Sequence, residues 1–466
     1  MRTFGVGLGA LTIGDALQRL ETGELSALDL TRTCLDRIAG QNDALGAMIT
    51  VTADEALARA READRLRAEG GWLGPLHGIP LSLKDLIDQS GVPTTAASRV
   101  RDGHVADEDA PLTARLREAG AALIGKCNLH EFAFGTTNAE SAYGPCRNPL
   151  DPGRSPGGSS GGSAASVVAG MCLGSIGTDT GGSVRIPAAA CGLVGLRPGE
   201  GDVPAGGLVP LSPTLDRAGP LALTVGDVGR LMTVLTGRPM LTEPSAPEGG
   251  DLSDLTAGVP RAFFFDLLDD DVRASVEAAI GRLAGRGMRV HDVSLPGVEG
   301  AGAIYRRIGP HEAAMWHAST LRTRRAFYTP RVRERIEEGF MVRPHEYAEA
   351  LEDRKRLQHG VDEALATADV LILPTLPILA PPIGLDSVWL SGTRVAIRDA
   401  TLRLTVPFSL SGHPALSVPS EPASCGLPVG CQLVGRRSAA SDLLRIAARL
   451  EAAIRGAGSR GSIGGS

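Results

Sequence analysis

Two serines set in glycine turns carry the clearest chemical potential in this sequence. Ser159 lies in SPGGSSGGSAA and Ser183 in GTDTGGSVRIP, 24 residues apart. Glycines at 157, 158, 161, 162, 181 and 182 let backbone amides approach a ligand closely. A flexible linker is also rich in Gly and Ser, but here Ala164–Ala169 is a helix-capable apolar run and Met171–Ile176 reads as a buried strand. The glycines therefore punctuate secondary structure. A third residue joins them upstream. Lys84 follows the strand-like segment Ile79–Leu83 and is flanked by Leu83, Leu86 and Ile87; a lysine seldom enters an apolar setting without a task or a partner.

Three chemistries compete for the serine turns. A phosphate loop needs Gly-Lys-Ser/Thr, and GGSSGGSAA holds no lysine. Gly157-x-Ser159-x-Gly161 matches the bare nucleophile-elbow pattern, yet RNPLDPGRSP before it is made of turn formers where an elbow requires a strand. The third reading uses both serines and the lysine for nucleophilic attack. His130-Glu131 lacks the second histidine of a zinc helix, since position 134 is Phe, and reads as a local hydrogen-bonded pair. No metal and no cofactor are expected.

The elements that must position these residues alternate between helix and strand. Helices are expected over Gly14–Leu20, Ala27–Ile38 with Ser26 as N-cap, Ala53–Glu69 and Leu112–Gly120, with strands at Ile79–Leu83 and Ala121–Gly125. Beyond Arg185 come a small-residue helix at Ala188–Cys191, a strand at Leu193–Leu196 and a Gly/Pro-rich stretch to Pro220. Ala257–Val293 has βαβ form, Gly300–Ala366 is helical and charged, and Asp369–Pro374, Pro414–Pro419 and Pro428–Val434 are strands before a last helix at Asp442–Ile454. Pro239–Gly250 reads as a loosely structured crossing, and residues 456–466 as a disordered low-complexity tail. The alternation predicts an α/β layered core around a mixed sheet.

Composition narrows the class. At 466 residues, 43% apolar, 21% charged and net charge −6, the chain is not a general nucleic-acid binder. Seven cysteines without CxxC spacing indicate neither a disulfide framework nor a zinc site. With no apolar run of membrane length and no signal-peptide pattern at the start, a cytoplasmic protein is expected.

Taken together, GPLHGIPLSLKDLID (74–88), GKCN and EFAFGTT (125–137), SPGGSSGGSAA (155–165), GTDTGGSVRIPAAACGLVGLRP (177–198), DVLILPT and GLPVGCQLVGR resemble the amidase signature family of Ser-Ser-Lys amide hydrolases, over about residues 10 to 455. The resemblance implies a single amidase domain over 1–455 with N-terminal helices (1–70), a catalytic core (74–220) and a variable, substrate-facing region (240–345). It implies an α/β/α layered fold with a central mixed β-sheet. Residue by residue, it places the nucleophile on Ser183, the bridging serine on Ser159 behind a cis peptide, and the base on Lys84. It also implies an oxyanion hole at Thr180, Gly181 and Gly182, and support from Ser160, Thr178, Asp179 and Arg185. Substrate contacts are expected from Phe132, Phe134, Gly135 and Thr136, and a carboxylate-reading role is open to Arg331, Arg333 or Arg335 against a plain surface role.

The implied reaction is hydrolysis of a carboxamide to acid and ammonia, with a small-molecule amide as the substrate partner; the resemblance leaves a homodimer and a partner subunit open and calls for neither nucleic acid nor membrane. Motif detail is most similar to stand-alone indoleacetamide and mandelamide hydrolases. The glutamine-hydrolysing component of tRNA-dependent amidotransferases usually carries Gln in place of Ile186 and Lys-Pro-Thr-Tyr-Gly where this chain has Arg-Pro-Gly-Glu-Gly. That amidotransferase component, and a hydrolase of urea-derived amides, are the alternatives.

Overall fold

In the computed structural model, residues 11–241 and 250–456 are described. The centre is one mixed sheet of eleven strands. In chain order the strands are β1 (Met48–Val51), β2 (Pro80–Lys84), β3 (Ala122–Cys127), β4 (Gly174–Asp179), β5 (Val194–Arg197), β6 (Arg217–Ala222), β7 (Thr256–Val259), β8 (Arg289–Asp292), β9 (Val370–Pro374), β10 (Ser387–Leu390), β11 (Thr393–Ala396), β12 (Ala415–Pro419) and β13 (Gly430–Val434). They lie in the order β1-β3-β2-β4-β6-β5-β12-β13-β9-β7-β8, while β10 and β11 form a separate hairpin. Parallel pairing is confined to β3-β2-β4 and to β9-β7-β8. All other ladders of this sheet are antiparallel.

Burial on both faces explains the composition of the central strands. β2, β3, β4, β5, β9, β12 and β13 are buried throughout; β9, VLILP, reads as the continuous apolar run such burial favours, while β4 is built of small and polar residues. Outer helices carry the wet faces. Ile13–Thr22 and Ala27–Leu45 begin at Thr12 and Ser26, whose side chains accept the Asp15 and Asp29 amides, and both end on left-handed glycines. These caps satisfy donors and acceptors that a helix end leaves free.

Several boundaries differ from the sequence expectation. β4 starts three residues later than Met171 and runs on to Asp179, so the second serine turn begins directly at a strand end. β6 occupies the stretch expected to be irregular; Gly219 and Pro220 mask it, since both are poor central-strand residues. A Cβ at Gly219 would meet the Leu196 carbonyl oxygen at 2.0 Å, so this strand needs glycine to lie against β5. β1 and the β10–β11 hairpin also have no clear signal in the sequence, whereas the Val225–Thr236 helix, absent from the expectation, is marked by its Thr224 N-cap, its helically spaced apolar residues and Gly237. All but Gly456 of the tail expected at 456–466, and most of the Pro239–Gly250 crossing, lie outside the described residues.

Candidate active site

β2 and β4 are parallel neighbours, so their C-terminal ends open on the same side of the sheet. β2 delivers Lys84 there, and β4 delivers Thr178 and Asp179. The Gly161–Val168 helix, which follows the first serine turn, packs against both strands. Strand and helix together bring Lys84 to the first serine: Lys84 Nζ lies 2.7 Å from Ser159 Oγ and 2.8 Å from Thr178 Oγ1. The peptide between Gly158 and Ser159 is cis.

The two serine turns are tied to each other through their backbones. Ser160 N donates to the Ser183 carbonyl at 3.2 Å, and Ser160 Oγ donates to the Thr178 carbonyl at 3.2 Å. Ser159, Ser160 and Lys84 are fully buried, and Ser183 retains 5% exposure. Burial removes water from the Lys84 ammonium and pushes its pKa down to about 7, against the pull of the Asp216 and Asp179 carboxylates. An amine with that pKa is substantially neutral near pH 7 and can accept a proton.

Around Ser183 the chain presents buried donors. Among the described residues the amides of Gly181, Gly182 and Ser183 have no protein acceptor, although all three residues are buried. Unpaired buried backbone amides are rare in folded proteins. Thr405 Oγ1 donates to the Gly181 carbonyl at 2.6 Å. In a trans peptide the N–H points opposite to the C=O, so the Gly182 amide is turned away from Thr405. Gly182 has φ +137, and a Cβ there would meet Thr405 Oγ1 at 2.4 Å. Only glycine fits this turn.

A buried charge network fixes the loop. Asp179 receives Arg185 through Nε and a terminal nitrogen, both at 3.0 Å, and Arg197 at 3.3 Å. The two guanidinium groups hold the Asp179 carboxyl at about 2 despite its burial. Arg185 continues to the Thr405 carbonyl, Ser409 and Gln432, so the loop is bolted to the far half of the sheet. Thr180 Oγ1 donates to Asp216 at 2.5 Å, and the other Asp216 oxygen accepts the Leu211 and Ser212 amides. Burial raises Asp216 to about 6.

Sequence reasoning misses Asp216, Thr405, Ser409 and Gln432. Asp216 offers one usable signal, an acid between Leu215 and Ala218 at the start of an apolar run. The others are ordinary polar residues whose role exists only in three dimensions. Of the expected substrate contacts, Thr136 lines a cleft of about 300 Å³ beside the first serine turn. Phe132 packs edge-on to His317 and against Tyr328. Phe134 offers its carbonyl to Arg335 at 2.9 Å and its ring to Arg398. At Gly135 a Cβ would fall 2.1 Å from the His130 ring. Arg331 pairs with Asp386 at 3.1 Å and lies 3.7 Å from Glu140. Among the described residues no group of three or more potential metal ligands occurs, and no helix is long and apolar enough to cross a membrane.

A buried, neutralisable lysine on a serine hydroxyl, beside a turn of unpaired amides, is equipment for activating an oxygen nucleophile against a carbonyl. Comparison with known proteins gives this class its family. The Amidase family profile matches residues 29–444. The chain is 38% identical over 474 residues to the A component of the glutamyl-tRNA(Gln) amidotransferase of Chloroflexus aurantiacus, covering 94% of this chain and 95% of that one. It is also 38% identical over 449 residues to an amidase of Pseudomonas putida, with the same coverage of 94% and 95%. A crystal structure of an amidase superposes with TM-score 0.89 at 36% identity, over 95% of this chain and 100% of that chain. The chain belongs to the amidase signature family, hydrolases that act on carbon–nitrogen amide bonds.

Proposed function

We propose that this chain hydrolyses a carboxamide to carboxylic acid and ammonia through an acyl-enzyme on Ser183. The observation that carries the reading is the 2.7 Å contact between Ser159 Oγ and the buried, neutralisable Lys84 amine. Ser183 Oγ attacks the amide carbon and gives its proton to Ser159, which passes its own to Lys84 Nζ; a hydroxyl both donates and accepts, so it can relay. Negative charge develops on the carbonyl oxygen. We assign its reception to the 180–183 turn, where the amides of Gly181, Gly182 and Ser183, with Thr180 beside them, have no protein acceptor among the described residues.

Collapse then breaks the carbon–nitrogen bond while the proton on Lys84 returns through Ser159 to the nitrogen, and ammonia leaves. Water, deprotonated by the same relay, releases the acid and restores Ser183. Ser160, Thr178, Asp179 and Arg185 act by holding these groups in place. All the reacting groups belong to one chain, so a monomer and a homodimer serve equally well. The free thiols, six of seven buried, suit a reducing compartment and so the cytoplasm.

The test is ammonia release from a panel of primary amides. Ser183→Ala should abolish it and Lys84→Ala should lower it by roughly a hundredfold or more, both leaving the fold intact; turnover surviving in Ser183→Ala would sink the mechanism. A second reading, glutamine hydrolysis as part of an amidotransferase, is carried by the equal identity to the Chloroflexus aurantiacus protein. Ile186 and the Arg-Pro-Gly-Glu-Gly run speak for the stand-alone reaction. Efficient turnover of other amides by the isolated chain, with glutamine a poor substrate, decides for it.

A further inference from the structure

One buried carboxylate near the site takes no part in the relay and meets no cation. Glu312 lies on the Ala301–Arg324 helix, and among the described residues no Lys, Arg or His stands within ion-pair distance of it. Both of its oxygens are nevertheless occupied. One accepts Ser212 Oγ at 2.6 Å and the Thr214 amide at 3.1 Å; the other accepts Thr214 Oγ1 at 2.7 Å and the Tyr347 hydroxyl at 2.8 Å. A carboxylate withdrawn from water costs stability unless donors replace that water. Here three of the four donors belong to one short loop, residues 212–214.

That loop leads to the serine turn. Ser212, held by Glu312 through its hydroxyl, gives its main-chain amide to Asp216 Oδ2 at 3.0 Å, and its carbonyl accepts the Asp216 amide at 2.8 Å. The other Asp216 oxygen accepts Thr180 Oγ1 at 2.5 Å, one residue before Gly181. Arg197 and Arg217 take the carbonyls of Leu215, Asp216 and Thr214, and bond to neither hydroxyl of the loop. The charged groups that face Asp216 are Lys84 and Arg217, while Lys84 faces Asp216 and Asp179.

The helix that carries Glu312 meets the serine turn a second time. Tyr305 stands two turns earlier and so on the same face. A Cβ at Gly181 would fall 3.0 Å from the Tyr305 hydroxyl oxygen. One helix therefore touches Gly181 through Tyr305 and, through Glu312, the loop that holds Thr180.

We propose that Glu312 is a positioning residue for the hydrolysis: it clamps the 211–216 loop so that Asp216 meets Thr180 at the serine turn and faces Lys84. This rests on the amidase reading of that site. Glu312 touches neither substrate nor relay and acts through Ser212, Thr214 and Asp216.

The test compares the native chain with Glu312→Gln, Glu312→Asp, Asp216→Asn and the double variant of Glu312→Gln with Asp216→Asn. It reads kcat, KM, the pH limb of ammonia release and the denaturation midpoint. Glu312→Gln keeps the size and one acceptor oxygen but turns a donor toward the loop's own donors. Its kcat should fall by roughly ten- to a hundredfold with KM nearly constant, no more than the loss of one oxyanion donor. The Lys84 limb should move to lower pH, part of the way that Asp216→Asn moves it, because the carboxylate that favours the ammonium is no longer held in place. Adding Glu312→Gln to Asp216→Asn should move the limb no further, and Glu312→Asp should restore part of kcat. Ser212→Ala, which removes a hydroxyl of the loop and leaves the carboxylate, should act in the same direction and serves where Glu312→Gln fails to fold. A lowered midpoint with kcat and limb unchanged makes Glu312 a prop of the fold alone and overturns the proposal, as does a further limb shift in the double variant. The rate at which a fluorophosphonate labels Ser183 across the same pH range reads the relay without amide cleavage. A labelling limb that moves in Glu312→Gln while no amide is turned over upholds the clamp and refutes the amidase reading. Amide turnover with a limb that stays in place does the reverse, and a native chain that neither labels nor turns over ends both.

Discussion

Lys84 must lose its proton before it can act, and its pKa of about 7 sets where that happens. The base is the neutral amine, so kcat/KM should climb with pH through about 7 and level off above it. Lys84→Met should abolish this limb and lower turnover by roughly a hundred- to ten-thousandfold, the usual worth of a positioned base. Asp216 favours the ammonium form, so Asp216→Asn should move the limb to lower pH; a limb displaced upward, or not at all, would show that Asp216 does not sense Lys84. These groups differ in how far sequence exposes them. Lys84 is legible because apolar residues surround it in the chain itself. Asp216 shows in sequence only as an acid at the start of an apolar run and His130 only as the neighbour of Glu131; folding removes their water, and it leaves the His130 ring without the hydrogen bond expected of that pair.

Arg185 links two elements that are far apart in the chain: the loop after β4, and the residues around the Val406–Ser411 helix with β13 beyond. Removing one partner of a buried ion pair leaves the other charge unpaired, which typically costs about 3–5 kcal/mol. Arg185→Ala should therefore lower the denaturation midpoint markedly and disorder the Ser183 turn. Arg185→Lys should recover only part of that, since an ammonium cannot span Asp179, Ser409 and Gln432 together; full recovery in the lysine variant would reduce the network to a point charge. At this scale most helices and the buried apolar strands are readable from periodicity and caps. The pattern starts β4 three residues early because Gly174, Ser175 and Gly177 dilute its apolar signal, and Gly219 and Pro220 hide β6. In both strands small residues answer to close neighbours, which local pattern does not register.

The sheet is assembled from two stretches of chain. β1 to β6 come from residues before 223, and the remaining five strands of the sheet from residues after 255, with the join at β5 and β12. Lys84, Ser159 and Ser183 belong to the first stretch; Tyr305, Arg335, Arg398 and Thr405, which border the site, belong to the second. Expressed together as separate chains, 1–241 and 250–466, the two stretches should restore ammonia release that neither has alone, because Arg185 and Arg197 bridge the join. Recovery of activity from the first chain alone would contradict this. The α/β class and the chemical residues are readable from the first stretch, while the order in which the second inserts its strands is not, since it depends on pairings between residues far apart in the chain. The fit of the His130 ring into the space left by Gly135 adds a historical consequence. A larger residue at 135 needs the ring at 130 to turn aside or be replaced, so across descent these two positions should change as a pair.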